Sequence, residues 1–153
     1  MMKTIENLGN VFSSALMEAI ATTTSVHLDG VSSEAGDACF YELTGVMSLC
    51  SKKGGILFIT AKESDIRILC SYMTGISLEE VTKEDAEDTL CEFVNMTAGS
   101  AKLRLSDPDY MFTLSTPFII KGQNMTVATK SKTHVISRVL WSGEISVNLT
   151  IIC

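Results

Sequence analysis

The spacing of apolar and polar residues divides the chain into helical and extended segments. Apolar residues recur every three or four positions over residues 4–21, which predicts an amphipathic helix. The three threonines at 22–24 have weak helix propensity and are expected to end it. The same period returns over residues 62–73, where Gly75 stands at the position of a helix C-cap, and over residues 83–105.

Two further patterns complete the predicted elements. Thr82 and Asp85 form the Ser/Thr-x-x-Asp/Glu pattern with which many helices begin, so the third helix is expected to start at Lys83. Strands are predicted where short β-prone segments alternate, at residues 26–32, 38–50, 55–61, 110–120, 135–141 and 144–153. Turns are expected at 52–55, at 122–124 and at Ser142-Gly143, and a local turn or bulge is expected at Asp29-Gly30.

The resulting order is helix, strands, helix, helix, strands. This order predicts an α+β fold, an α/β sandwich in which long helices pack on a largely antiparallel sheet. Each half of the chain contains a long helix and then a β-meander, so we expect two pseudo-repeated halves. The halves share no sequence identity that would prove duplication. With 153 residues and no linker, residues 1–153 are predicted to form a single domain.

The composition narrows the function. A net charge of -6 argues against binding to nucleic acid. No apolar stretch approaches the roughly 18 residues of a membrane span, and the start of the chain lacks the apolar run of a signal peptide. We therefore expect a cytoplasmic protein that binds neither nucleic acid nor a membrane.

The cysteines are interpreted as structural. The five include no Cys-x-x-Cys pair and lie far in sequence from His27 and His134, so reduced, buried thiols are expected and structural zinc is not. The two histidines are expected at the surface or packed on strands. Cys91 precedes Glu92 but has no His or Lys beside it, and is interpreted as a half-buried thiol and not as a nucleophile.

The third predicted helix has one face that its core packing does not use. On a helical wheel, Asp88, Glu92, Asn95 and Gly99 lie opposite the apolar side. Glu92 and Asn95 are three residues apart and are therefore neighbours on the surface. The residues expected to face the core are Ala86, Leu90, Phe93, Val94, Thr97, Ala101 and Leu105.

The same face also has a plain interpretation as a solvated surface, since most helical glutamates are exposed and a Glu-x-x-Asn match can arise by chance. Gly99 favours a function, because glycine inside a helix costs about 1 kcal/mol relative to alanine. This cost suggests close approach by another molecule, or tight packing against a neighbouring helix of the same protein. Met96 and Leu103 lie beside Glu92, where they could form the apolar fringe of a contact surface.

The stretch Glu-x-x-Asn-x-x-x-Gly-x-Ala-Lys resembles the CheX-like branch of the CheC/CheX/FliY chemotaxis phosphatases. The resemblance is strongest over residues 88–105, and residues 113–122 and 45–55 support it. Val11 departs from the proline often found there, and Ser100 stands where many members have asparagine. The chain contains one Glu-x-x-Asn pair and no copy in the first helix, which resembles CheX-type members and not the two-site CheC type.

The resemblance implies a phosphatase that hydrolyses the aspartyl phosphate of a CheY-type response regulator, in chemotaxis or related two-component signalling. Asn95 would position the attacking water, and Glu92 would pair with a lysine of the regulator. No cofactor is implied for this chain, because the Mg²⁺ belongs to the partner. The residues expected to contact the partner are Asp88, Met96, Gly99 and Leu103.

Two further expectations accompany this resemblance. Family members are described as dimers through sheet edges, and the alternating strands near the C-terminus of this chain could supply such an edge, so a homodimer is expected. The alternative function is a non-catalytic binding module of the same fold, an adaptor that sequesters a response regulator.

Overall fold

The structure is a computed structural model that describes residues 2–33, 38–130 and 132–153. Within these residues the longer helices are α1 (Met2–Thr24), α2 (Glu63–Thr74) and α3 (Lys83–Arg104). Short 3-10 helices occupy Leu78–Glu80 and Pro108–Tyr110. The strands are β1 (Gly30–Ser33), β2 (Leu43–Cys50), β3 (Ile56–Ala61), β4 (Thr113–Leu114), β5 (Phe118–Lys121), β6 (Val135–Ser142) and β7 (Ile145–Ile152).

The strands form one sheet, and every described pairing is antiparallel. Its order is β1-β6-β7-β3-β2, with β4 and β5 both paired to the outer edge of β2. Met47 faces Leu57 in the β2–β3 hairpin, and Ile59 faces Leu149 at the centre of the sheet. The prediction of an α+β fold with helices on an antiparallel sheet is therefore confirmed.

The two halves of the chain repeat the same order of elements. A long helix, an edge strand and a hairpin follow one another as α1, β1, β2–β3 and again as α3, β5, β6–β7. Each edge strand pairs with the hairpin of the other half, β1 with β6 and β5 with β2. The expectation of two consecutive meanders is thus corrected, because the halves exchange their edge strands within one sheet.

The helices lie on one face of the sheet, and two glycines allow the long helices to approach it closely. α3 lies over β2, where a Cβ on Gly45 would come within 2.6 Å of Val94 Cγ2. α1 lies over β6, where a Cβ on Gly9 would come within 2.9 Å of Ile136 Cγ2. Each long helix therefore packs on the hairpin of the opposite half, which fixes the position of α3.

Part of the opposite face of the sheet is closed by hydrogen bonds to residues 38–42. The Tyr41 amide donates to Thr60 Oγ1 at 2.9 Å, and Thr44 Oγ1 donates to the same oxygen at 2.9 Å. Asn148 Nδ2 donates to a carbonyl of this segment at 3.4 Å. These polar side chains are buried. The alternation of apolar and polar residues along these strands therefore does not indicate that the polar face of the sheet is exposed to solvent.

The first helix is longer than predicted. Residues 22–24 continue α1, because their hydroxyls donate to carbonyls one turn earlier; Thr23 Oγ1 bonds Ala19 O at 2.7 Å and Thr24 Oγ1 bonds Ile20 O at 2.6 Å. Threonine Oγ1 can bond such a carbonyl within a helix, so weak helix propensity alone does not end α1 here. The helix ends at Ser25, whose φ is 62°.

The second helix was placed almost correctly. α2 is predicted over residues 62–73 and runs over Glu63–Thr74, and Gly75 caps it with a φ of 76°. The predicted C-cap glycine is therefore confirmed.

Three predicted strands are corrected. The strand predicted over 26–32 forms only as β1. Gly30 pairs with Trp141 in regular register and lies in neither a turn nor a bulge; a Cβ there would lie 2.0 Å from Trp141 Cε2, which leaves room only for glycine. The strand predicted over 38–50 begins at Leu43. The strand predicted over 110–120 is divided into β4 and β5 around Pro117, which has no amide hydrogen to donate to a sheet.

The last two strands do not supply a free edge. β7 lies between β6 and β3, and β6 lies between β7 and β1. The described sheet ends instead at β1 and at β4 and β5, which corrects the expected location of an edge for pairing. In the described chain no helix has the length and apolar character needed to span a membrane.

Candidate functional site

The start of α3 is fixed by a reciprocal cap. Thr82 Oγ1 accepts from the Asp85 amide at 3.1 Å, and Asp85 Oδ2 accepts from the Thr82 amide at 2.9 Å. The bond from the Thr82 backbone, with that of its hydroxyl, lowers the pKa of the Asp85 carboxyl. The capping box predicted from the sequence is confirmed, and it sets which residues of α3 face outward.

The inward face of α3 is filled by the predicted core residues. Phe93 and Val94 are fully buried against the sheet, while Leu105, just beyond the helix, is half-buried. Thr89 and Ala98 are also buried, although the wheel did not assign them to the core. α1 and α2 pack on α3 and widen the buried face beyond what the sheet alone covers.

The outward face of α3 carries the candidate catalytic pair. Asp88, Glu92 and Asn95 are exposed. Within the described parts of the chain, neither the Glu92 carboxylate nor the Asn95 amide has a hydrogen-bond or ion-pair partner. Their Cβ atoms are about 5–6 Å apart, as at any i, i+3 pair of a helix. We name the outward surface formed by Asp88, Glu92, Asn95, Gly99 and Leu103 the α3 ridge.

Gly99 leaves an opening in this ridge. Apart from its two chain neighbours and the adjacent backbone of its own helix, a Cβ built on Gly99 would meet no atom of the described chain within 4 Å. Of the two explanations left open by the sequence, tight packing against a neighbouring helix is therefore wrong. Close approach by another molecule and a plain solvated surface are the interpretations that the surroundings of Gly99 allow.

The two apolar residues beside the pair differ in exposure. Leu103 is 89% exposed, whereas Met96 is half-buried and turns toward α1. Met96 belongs to a groove of about 90 Å³ between α1 and α3, beside the ridge. The groove is lined by Ala15, Glu18, Ala19, Thr22, Met96 and Ser100.

Sequence reasoning missed the α1 side of this groove. Its lining residues on α1 are more than 70 residues from Met96 in sequence. Helical periodicity predicts whether each of them is buried or exposed, but not which residues of another helix it contacts. An ion pair between Arg104 and Glu18 joins the two helices nearby. Only the packing of α1 against α3 brings these side chains together.

Of the carboxylates on and beside the α3 ridge, some have a partner of opposite charge and others have none within the described chain. Glu87, on the side of α3 that faces β5, accepts a hydrogen bond from Lys121 Nζ at 2.7 Å. This bond, with the attraction between the two charges, raises the pKa of Lys121. Glu92 and Asp88 have no such partner among the described residues. The ridge therefore presents two uncompensated carboxylates beside one neutral amide.

Cys91 is not an alternative nucleophile. Its thiol is half-buried, as predicted. Burial raises the pKa of the Cys91 thiol, and the negative charges of Asp88 and Glu87 raise it further. The thiol is thus held in its protonated, weakly nucleophilic form at neutral pH.

The other cysteines and the histidines have no place in the site. Both histidines are exposed, in agreement with the sequence. The prediction of buried cysteines is correct for Cys70, but Cys39 and Cys50 are exposed because they lie outside or at the end of β2. In residues 2–33, 38–130 and 132–153, no group of three His, Cys, Asp or Glu residues is arranged to hold a metal ion.

Comparison with known families identifies the fold and the class of protein. The family described as "Chemotaxis phosphatase CheX" matches residues 43–139, which is more than half of the chain and includes the α3 ridge. The chain belongs to the CheX family of chemotaxis phosphatases. No protein of curated function gives a significant sequence match.

Solved structures support the same fold. A CheC-like superfamily protein from Shewanella sp. PV-4 superposes with a TM-score of 0.79 at 26% identity, over 95% of this chain and 96% of that one. The chemotaxis protein CheX from Vibrio vulnificus gives 0.80 at 22% identity, over 95% and 97%. CheX in a CheX–CheY–BeF3–Mg²⁺ complex from Borrelia burgdorferi gives 0.76 at 18% identity, over 94% and 95%.

Proposed function

We propose that this protein accelerates hydrolysis of the aspartyl phosphate of a CheY-type response regulator. Membership of a family of chemotaxis phosphatases sets the class of activity. The observation that carries the proposal is the exposure of Glu92 and Asn95 side by side on α3, with no partner in the described chain. The opposite face of α3 is buried in the core, so this pair is available to a docked protein.

Asn95 suits the positioning of a water molecule. An acyl phosphate is already reactive, and its transfer to water passes through a loose transition state in which positioning and electrostatics supply most of the help. The amide can accept a hydrogen bond from water and donate another, holding the water in line with the phosphorus. Because it is neutral, it does not repel the phosphoryl oxygens.

Glu92 suits a different role. A carboxylate placed against a phosphoryl group would repel it, so we assign Glu92 to a cation of the regulator, its active-site lysine. A pair of opposite charges at an interface contributes to register as well as to affinity. The absence of an intramolecular partner leaves this carboxylate able to form that pair.

The surrounding residues would complete the docking surface. Asp88 adds a second carboxylate on the same face, Leu103 adds an exposed apolar contact, and Met96 forms a half-buried border toward α1. Gly99 leaves room for the partner between them. The proposal assigns no cofactor to this chain and places the nucleophilic aspartate, the lysine and the Mg²⁺ in the regulator. The Borrelia burgdorferi structure is a complex of CheX with CheY, BeF3 and Mg²⁺, which supports a CheY-type regulator as the partner.

We also propose that the protein acts in the cytoplasm, where response regulators are found, and forms a homodimer. The exposed edges of the sheet are candidates for the dimer interface, and Phe118 of the edge strand β5 is 50% exposed. An unpaired edge with an exposed aromatic side chain favours strand addition. Sedimentation equilibrium tests the dimer, and a monomer at all concentrations would contradict it.

The proposed activity is tested in two steps. Response regulators activated with beryllofluoride and Mg²⁺ are first used to capture the protein, and phosphorylated forms of those that bind are then followed with and without it. The proposal predicts faster loss of the phosphoryl group. Tight binding with unchanged or slower loss would instead identify an adaptor that sequesters the regulator, and would contradict the phosphatase proposal.

A further inference from the structure

The glycines in the described parts of the chain divide according to whether the surrounding structure explains them. Some have a positive φ, which disfavours any side chain, and some would bring a Cβ within 3.0 Å of another residue. The first group is Gly54, Gly75 and Gly143, and the second is Gly9, Gly30 and Gly45. Gly55 has a backbone oxygen at 3.3 Å, and Gly122 lies outside the helices and strands, where glycine carries no helical cost.

Gly99 has neither explanation. It lies inside α3, and its φ is not positive. A Cβ there would meet nothing of the described chain within 4 Å beyond its two chain neighbours and its own helix backbone. Alanine at this position would strengthen the helix, because glycine adds backbone entropy to the unfolded chain and has the lower helix propensity. The free protein therefore gains nothing from glycine here.

The position of Gly99 relates it to the proposed chemistry. It follows Asn95 by four residues and Glu92 by seven, so it lies one and two turns along the same face of the helix. Leu103, one turn further, is largely exposed. The bare backbone thus continues directly from the carboxamide that is proposed to orient the water.

We propose that Gly99 is a positioning residue that sets how closely the response regulator approaches α3. The occupant of the opening is the surface of the regulator beside its phosphorylated aspartate, because Gly99 lies one helical turn from the Asn95 amide that is proposed to act there. Without a side chain at 99, this surface comes near enough for the Asn95 amide to hold a water against the phosphorus. This inference rests on the proposed phosphatase function and adds a steric requirement to it.

The physical consequence is a separation of stability from activity. A methyl group at 99 does not disturb the free protein, but it holds the docked regulator away from Asn95. A displacement of about 1 Å can cost a positioned reaction about a hundredfold. A larger side chain increases the displacement, so the loss grows with side-chain volume.

The test compares wild type with Gly99→Ala and Gly99→Leu, each for melting temperature, affinity for a beryllofluoride-activated regulator, and catalysed decay of the phosphorylated regulator. Gly99→Ala is expected to raise Tm by about 2–4 °C and to slow the decay at saturating protein about tenfold to a hundredfold. Gly99→Leu is expected to slow it further and to weaken binding. The matched control for a stabilised helix is Ser14→Ala, because Ser14 is exposed on α1 and lies outside the groove. With this variant the phosphorylated regulator should lose its phosphoryl group at the wild-type rate.

Each outcome bears on the inference. Wild-type rates in Gly99→Ala overturn it, as do a lowered Tm in that variant or an equal slowing in Ser14→Ala. If Asn95→Ala is inactive while Gly99→Ala matches wild type, the phosphatase proposal stands and this inference alone fails. If wild type neither binds nor accelerates any regulator, both fail together.

Discussion

The two long helices occupy equivalent places in the repeated order of elements, yet their outward faces differ. α1 has 23 residues and lies over the hairpin of the second half, and α3 has 22 residues and lies over the hairpin of the first. Both bury an apolar face that includes a fully buried phenylalanine, Phe12 in α1 and Phe93 in α3. Only α3 carries the Glu92–Asn95 pair.

This difference separates what the fold requires from what it does not. α1 fills its place in the fold without a Glu-x-x-Asn pair, and its exposed Glu18 is tied to Arg104 of α3. On α3 the corresponding surface keeps its carboxylate and amide without partners in the described chain. Each helix therefore contributes a buried inward face to the core, and the proposed function is confined to the outward face of one.

The largest expected effect is the same in both helices. Phe12→Ala and Phe93→Ala each remove a ring with no exposed surface and should lower the free energy of unfolding by about 3–5 kcal/mol. Urea unfolding followed by circular dichroism measures this loss. A loss in only one of the variants would show that the two helices are not equivalent in the core.

The next effect should separate the outward faces. Glu92→Lys is expected to weaken binding to an activated regulator at least about tenfold, or about 1.4 kcal/mol, because it replaces an attraction to lysine by a repulsion. Its stability should change by less than about 0.5 kcal/mol, as at most surface sites. Glu6→Lys makes the same charge change on the exposed face of α1. Calorimetry measures the affinity of both variants for the regulator. If both lose the same affinity, Glu92 acts only through the net charge of the protein and not through a specific ion pair.

A smaller effect concerns the start of α3. Thr82→Ala removes the hydroxyl that accepts from the Asp85 amide and should cost about 1 kcal/mol. Tm should fall by about 2–4 °C, while catalysed decay well below Tm stays near the wild-type rate. A large loss of the catalysed decay rate in fully folded Thr82→Ala would mean that activity depends on the cap as well as on the residues of the α3 ridge.

The smallest effect depends on pH. The pKa of the Asp85 carboxyl is lowered by its bonds with Thr82 from the ordinary value of 3.8. A lowered folded pKa means that the stabilisation is present above the ordinary pKa and is lost as pH falls through the folded value. The difference in Tm between wild type and Asp85→Ala should therefore be constant near neutral pH and shrink below about pH 4. A difference that does not vary with pH would contradict the ionised cap.

Local sequence signals predicted elements well where they act within a few residues. The Thr82–Asp85 cap and the Gly75 C-cap were placed correctly because each depends on one turn of chain. The end of α1 was missed because threonine hydroxyls bonded back to the helix. The exchange of edge strands between the halves was not predictable from order alone, since it is decided by long-range pairing of β1 with β6 and of β5 with β2.

In the candidate site too, features that depend on one helix were predicted, and features that depend on packing between elements were not. Helical periodicity correctly placed Glu92 and Asn95 opposite the core, because that inference needs only α3 itself. It could not decide why Gly99 is glycine, since the answer depends on what surrounds that position in the folded chain. It also missed the groove that Met96 shares with α1, which exists only once the two helices are packed. The assigned catalytic and partner-binding roles stay predictions.

The most direct test is the decay of a phosphorylated response regulator at saturating protein, measured with wild type, Asn95→Ala and Asn10→Ala. Asn10 is exposed on α1 and supplies the same substitution on the other helix. Orienting one water for a hundredfold acceleration requires about 2.7 kcal/mol. We expect Asn95→Ala to bind normally but leave the decay near that of the regulator alone, and Asn10→Ala to match wild type. Acceleration by Asn95→Ala equal to that of wild type would contradict the proposed role of the carboxamide.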